Sequence, residues 1–85
     1  MKRIYTTGFE RDYRNLPESL QEVVDKQLIL FCENPRHPSI NLKKMKGYQN
    51  IWRGKVTGGY RFTVHIDGDV YVFRRVGSHD ILDHP

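Results

Sequence analysis

The sequence predicts an α+β domain with two helices packed on one face of an antiparallel sheet. Three observations carry this reading. Ile51 to Gly77, IWRGKVTGGYRFTVHIDGDVYVFRRVG, alternates apolar and polar residues and is cut by two glycine-containing turns, the pattern of three consecutive strands in a meander. Ahead of it, two stretches repeat apolar residues at helical spacing. With 85 residues and no internal repeat or linker, the chain has room for one core, so residues 1–85 are expected to form a single domain.

In chain order, Lys2 to Thr6 is a short β-prone run. Thr7 is positioned to cap a brief helix in which Phe9, Tyr13 and Leu16 share a stripe. Pro17 belongs near the start of the second helix, where its missing N–H costs nothing. That helix runs to about Glu33 and buries Leu20, Val23, Val24, Leu28 and Phe31, with Leu30 at the flank and Asn34-Pro35 as its stop. Residues 35–47, PRHPSINLKKMKG, show no clean period. They read as a loop with a short extended piece, Leu42 and Met45 inward and Lys43, Lys44 and Lys46 outward.

Turn chemistry then sets the sheet register. Thr57-Gly58-Gly59 suits a three-residue loop that pairs Val56 with Tyr60, Lys55 with Arg61 and Arg53 with Thr63. Asp67-Gly68 suits a two-residue type I′ turn that pairs Ile66 with Asp69, Val64 with Tyr71, Phe62 with Phe73 and Arg61 with Arg74. One face then carries Trp52, Val56, Tyr60, Phe62, Val64, Ile66, Tyr71 and Phe73. The other carries Arg53, Lys55, Arg61, His65 and Arg74, with Thr63, Val70 and Val72. Like charges directly opposite each other destabilise a sheet, so this face calls for an anion. In the tail, SHDILDHP, Ile81 and Leu82 are expected to dock on the body.

Charge distribution points the same way. The formal net charge of +4 is uneven: residues 36–76 hold nine Lys/Arg against two Asp, while residues 1–35 hold five against six acids. Nucleic acid or an acidic protein partner is the functional reading, and a solvated basic surface the bland one. No run approaches the roughly 18 apolar residues of a membrane span, so no membrane association is expected. Met1-Lys2-Arg3 is not followed by the apolar run of a secretory signal. A lone cysteine, Cys32, excludes an intrachain disulfide and fits a reducing cytoplasm. Its place late in a helix reads as small core residue rather than nucleophile.

The order and spacing of these pieces resemble the RelE/ParE family of toxins from type II toxin–antitoxin systems. The resemblance rests on a short strand and two helices, then LKKMKG, a basic strand, Gly59-Tyr60-Arg61 followed by alternating apolar residues, and Val76-Gly77 before a polar tail. It implies a compact toxin held inactive by a cognate antitoxin that wraps its basic surface. It further implies either an endoribonuclease that cleaves messenger RNA at the ribosome or, in ParE-like members, an inhibitor of DNA gyrase. A non-catalytic module binding an acidic antitoxin or DNA is the remaining alternative. Arg61 matches the family's arginine in the Gly-Tyr-Arg motif, which contacts phosphate in RelE-like nucleases. Arg53 and Lys55 match the basic pair on the preceding strand in character, and His79 follows Val-Gly where relatives place an arginine or histidine. No tyrosine follows Tyr71, where many RNA-cleaving members carry a catalytic one.

Cleavage of RNA by its own 2′-hydroxyl needs a base, an acid, and positive charge on the phosphorane-like transition state. Arg61 suits the charge role, because guanidinium binds phosphate oxygens bidentately and stays protonated. His79 is the natural proton carrier, since imidazole titrates near neutral pH. Lys55 is the alternative base. Arg53, Arg74, Lys43, Lys44 and Lys46 are the expected RNA-binding residues. His65 and His37 read as a strand and a loop histidine, and Tyr48 is the aromatic freest to stack on a base. His79-Asp80 and Asp83-His84 superficially suggest a metal site, but ligands crowded into six tail residues have poor geometry. Neither a metal nor a cofactor is expected.

Overall fold

A computed structural model describes residues 2–85; the expectation concerning Met1 lies outside them. The order is β1 (Lys2–Tyr5), α1 (Thr7–Arg14), α2 (Glu18–Glu33), β2 (Lys43–Lys44), β3 (Ile51–Lys55), β4 (Tyr60–Asp67), β5 (Val70–Ser78) and a short 3-10 helix, His79–Asp83. The strands form one sheet in the order β1-β5-β4-β3-β2. The meander β3–β4–β5 is antiparallel, as the turns predict. The sheet as a whole is mixed, because β1 joins its edge parallel to β5. Among the described residues no helix is long and apolar enough to cross a membrane.

Both helices contribute to one core. Phe9 from α1 and Val24, Leu28 and Phe31 from α2 pack with Phe62, Val64, Tyr71, Phe73 and Val76 of the sheet. Phe31, with no exposed surface, sits at the centre. Its ring lies 4.9 Å from Tyr71 and meets Phe62 edge-on at 5.4 Å, a geometry aromatic rings prefer. The cap of α1 is Thr6 rather than Thr7: its hydroxyl accepts from Phe9 N at 3.0 Å and donates to the Arg74 carbonyl. The N-cap is the last residue with non-helical backbone, and that is Thr6 (ψ 161°), since Thr7 already lies in the helix. Pro17 is the residue before α2, as expected.

The first turn has the predicted register, with Arg53 opposite Thr63 and Lys55 opposite Arg61. The second does not. Asp67 pairs with Val70, so the loop is Gly68-Asp69. Gly68 alone of the two has positive φ, at 58°, which is the glycine placement of a type II′ turn and not of type I′. The slip is of two residues, so Val64, Ile66, Tyr71 and Phe73 keep their predicted face. A β-bulge follows between Thr63 and Val64, beyond which Thr63 pairs with Arg75, Phe62 with Val76 and Arg61 with Gly77. The predicted pairing of Arg61 with Arg74 is therefore corrected. Arg74 is the extra residue of the bulge, and Val76 enters the core with 1% exposure.

The tail docks, as expected, on the sheet face away from the helices. Ile81 is 7% exposed and lies over Gly77, where an added Cβ would come within 3.0 Å of it. The Pro85 carbonyl accepts from Arg74 Nε at 3.0 Å and from the buried Thr63 hydroxyl at 3.4 Å. On the helix face, Gly54 is required for space: a Cβ there would stand 2.3 Å from the Phe62 ring. Gly54→Ala is expected to destabilise the fold by about 1–3 kcal/mol through overpacking. Thermal denaturation checks this, since a domain of this size loses about 4–8 °C of Tm per kcal/mol; an unchanged Tm would contradict it.

Candidate functional site

The open face of the hairpin is built from two like-charged cross-strand pairs. Lys43 of β2 stands opposite Arg53, and Lys55 opposite Arg61. A strand pair of this kind costs a few tenths to about 1 kcal/mol. Among the described residues, the one ion pair is Arg75 with Asp12, so these four cations have no carboxylate partner. Lys43, Arg53 and Arg61 line a small cleft of about 110 Å³ together with His79 and Asn41.

Arg61 is held by its own turn. Its Nη1 donates to the carbonyls of Thr57 (2.6 Å), Tyr60 (2.9 Å) and Gly58 (3.4 Å). Among the described residues, its Nε and Nη2 take no partner, which leaves one edge of the planar guanidinium for a ligand. The Thr57-Gly58-Gly59 loop thus does two things: it sets the register that faces Lys55 with Arg61, and it fixes the guanidinium. His79 reaches the cleft because β5 ends at Ser78, opposite Tyr60, and the chain turns there into the 3-10 helix.

The remaining predicted residues lie around this centre. Lys55 faces Arg61 on the same side of the sheet; its N–H donates to Ile40 O at 2.7 Å and its carbonyl accepts from Gln27 at 2.9 Å. Arg74 is at the bulge, bonded to the tail, and does not line the cleft. Lys44 projects on the helix side, opposite Trp52, with Nζ 6.0 Å from the indole centroid, the outer limit of a cation–π contact. Lys46 is exposed in the loop after β2, and Tyr48 beside it is 41% exposed. Burial pushes the Cys32 thiol up, against a nucleophilic role.

Two contributions escape sequence reasoning. Asn41 lines the cleft from a loop without periodicity; its only sequence signal is that asparagine tolerates left-handed backbone, and its φ is 48°. Asp12 is the second. It accepts from Arg75 Nε (2.6 Å), Arg75 Nη2 (3.3 Å) and the Val76 N–H (3.2 Å), tying α1 to the bulge. This bond holds Arg75 above its ordinary pKa, against the opposing effect of burial.

A second concavity, of about 530 Å³, lies on the helix side. Tyr5, Phe9, Tyr13, Leu28 and Ile29 line it, with Arg3, Arg14, Glu10 and Asp25 at its rim. Ile29 is 51% exposed and Tyr5 40%. Tyr13 donates to Asp25 at 2.8 Å, which pushes the phenol up.

No protein-family model matches the chain. It is, however, 33% identical to Toxin RelE3 of Methanocaldococcus jannaschii over 79 residues, which span 89% of this chain and 88% of that protein. The chain belongs to the RelE/ParE family of toxins. Solved members carry the same fold. In the RelB–RelE antitoxin–toxin complex from Methanococcus jannaschii, a chain 29% identical superposes with a TM-score of 0.74 over 96% of this chain and 99% of its own. The YoeB/ParE toxin from Agrobacterium tumefaciens, 18% identical, matches in fold with a TM-score of 0.79 over 93% of this chain and 99% of its own. In this chain the cleft at Arg61 gathers three cations, Lys43, Arg53 and Arg61, that have no carboxylate partner among the described residues.

The Asp12 contact makes a testable demand. Asp12→Ala leaves the Val76 N–H without its acceptor and the partly buried Arg75 guanidinium with only the His84 carbonyl, which accepts from Nη1 at 3.1 Å, a loss of about 2–3 kcal/mol. Hydrogen exchange at the Val76 amide should accelerate and Tm should fall; unchanged exchange would show that the bulge stands without Asp12.

Proposed function

We propose that this chain is a toxin that cleaves messenger RNA at the ribosome, and that the cleft around Arg61 is its active site. The single observation that carries the proposal is the set of cations Lys43, Arg53, Lys55 and Arg61 without a carboxylate partner among the described residues, with the Nε and Nη2 edge of Arg61 unengaged. Such a face is stabilised by a phosphate. Family membership favours RNA as the source of that phosphate.

The reaction needs no external nucleophile. The ribose 2′-oxygen attacks the adjacent phosphorus, the bond from phosphorus to the 5′-oxygen breaks, and a 2′,3′-cyclic phosphate and a 5′-hydroxyl result. His79 takes the 2′-hydroxyl proton as the attack proceeds. Arg61, joined by Arg53, holds the phosphorane oxygens as charge builds on them. A lysine ammonium of the same face, Lys43 in the cleft or Lys55 beside Arg61, supplies the proton to the leaving 5′-oxygen. Arg74 and Lys46 extend the positive surface along which the strand lies, and Tyr48 offers a ring for stacking; Lys44, on the helix side with Trp52, takes no part. These residues require no metal or cofactor for the steps named.

The chain is proposed to be held inactive by a cognate antitoxin, as its similarity to a toxin found in a RelB–RelE complex supports. The antitoxin would cover the apolar concavity at Tyr5 and Ile29, an exposed patch of the kind that marks protein interfaces.

Expression in a translating extract, with cut sites mapped by primer extension and gyrase supercoiling assayed in parallel, tests the reading. Wild-type protein should produce discrete cuts that Arg61→Ala abolishes, and His79→Ala should slow cleavage by about 10²-fold or more. Intact messenger with blocked supercoiling would move the chain to gyrase inhibition. An unchanged rate in His79→Ala would remove His79 from the mechanism and leave Lys55 as the base.

A further inference from the structure

We infer that Asn41 reads the base next to the bound phosphate, so that it sets which RNA sequence the cleft accepts; this rests on the nuclease reading above. Three of the cleft's five lining residues, Lys43, Arg53 and Arg61, are cations that only donate hydrogen bonds. Groups of that kind recognise phosphate irrespective of sequence. His79 is assigned to proton transfer. Asn41 is the neutral lining residue that carries a donor and an acceptor side by side, the combination that engages a base edge bidentately. Its amide takes no hydrogen bond among the described residues, so it is free to do so.

Its position is built rather than incidental. One residue before it, Ile40 is fully buried and its carbonyl accepts from Lys55 N at 2.7 Å. Two residues after it, Lys43 is paired with Arg53. Asn41 is thus pinned on both sides to β3, within reach of the strand that carries Arg53 and Lys55. Asn41 has left-handed backbone, φ 48°, between the turn that ends at Ile40 and the short strand Lys43–Lys44, and its side chain lines the cleft. In RNA the target is an unstacked base beside the scissile phosphate, presented on its Watson–Crick or Hoogsteen edge.

The bland alternative is that asparagine stands here only because it tolerates positive φ. Asn41→Gly separates the two, since glycine adopts the same backbone without strain and lacks the amide. The probes are four short RNA oligonucleotides that differ only in the base 5′ to a fixed phosphate. A 2′-deoxy sugar at that position prevents cleavage, and binding is read by fluorescence anisotropy. Wild-type protein is expected to separate its best from its worst base by about tenfold, the scale of one bidentate base contact. Asn41→Gly should bring the four affinities together near that of the weakest, with Tm unchanged or raised.

Equal discrimination by both proteins would overturn the inference and leave Asn41 a turn residue. A uniform loss across all four bases would overturn it in favour of a sugar or phosphate contact. If none of the four binds, the inference falls on its own, because cleavage in the translating extract judges the nuclease reading separately.

Discussion

The structure turns on a conflict of periods in Phe73-Arg74-Arg75-Val76. A strand sends alternate residues to opposite faces, yet Phe73 and Val76, three apart, are both in the core. One residue must be absorbed, and Arg74 is the one. Without the bulge, Arg75 would point into the aromatic core opposite Phe62 and Val76 would lie among the cations. With it, Phe62 meets Val76 and Arg61 meets Gly77. Asp12 anchors the distortion by taking both the Arg75 guanidinium and the Val76 N–H. The cleft inherits this: Gly77, lacking a Cβ, admits Ile81, and the tail seated there carries His79 beside Arg61.

The two faces of the sheet are unequal in energy, which is why the cationic one persists. Each like-charged pair costs at most about 1 kcal/mol in solvent. Each fully buried phenylalanine returns roughly 1.5–3 kcal/mol, and Phe31, Phe62 and Phe73 all have 0% exposure. The helix face therefore carries the electrostatic frustration of the open face with margin to spare. Folding leaves the repulsion within these pairs unrelieved, because among the described residues no carboxylate pairs with them.

Much of this was legible in the sequence where local chemistry decides. Pro17 and Asn34-Pro35 bracket α2, and Thr57-Gly58-Gly59 fixes the pairing of Lys55 with Arg61. What was not legible depends on distant partners. The type II′ turn at Gly68-Asp69, in place of Asp67-Gly68, goes with the pairing of Val64 to Phe73 inside the core, far from the turn. The parallel docking of β1 on β5 is a contact between residues nearly seventy positions apart. The spacing of Tyr71, Phe73 and Val76 did announce a bulge, and reading it would have exchanged Arg74 for Arg75 and removed the Arg61–Arg74 pair. Asn41 had no periodic pattern to reveal it, because its place is set by the bond from Lys55 N to Ile40 O on one side and the pairing of Lys43 with Arg53 on the other.

The cleft's parts are fixed to different degrees, and this separates their roles. Arg61 is clamped by three carbonyls of the adjoining turn, and its strand neighbours Gly54 and Phe62 interlock in the core. Its geometry is set by folding, before any ligand binds, which is the condition for electrostatic stabilisation of a transition state at little reorganisation cost. His79 opens a 3-10 helix of five residues held by Ile81, by Arg74 and Thr63 on the Pro85 carbonyl and by Arg75 on the His84 carbonyl. The turn that fixes the Arg61 guanidinium and the tail that carries His79 are thus different elements of the fold, and they meet where Ile81 seats over Gly77, the cross-strand partner of Arg61.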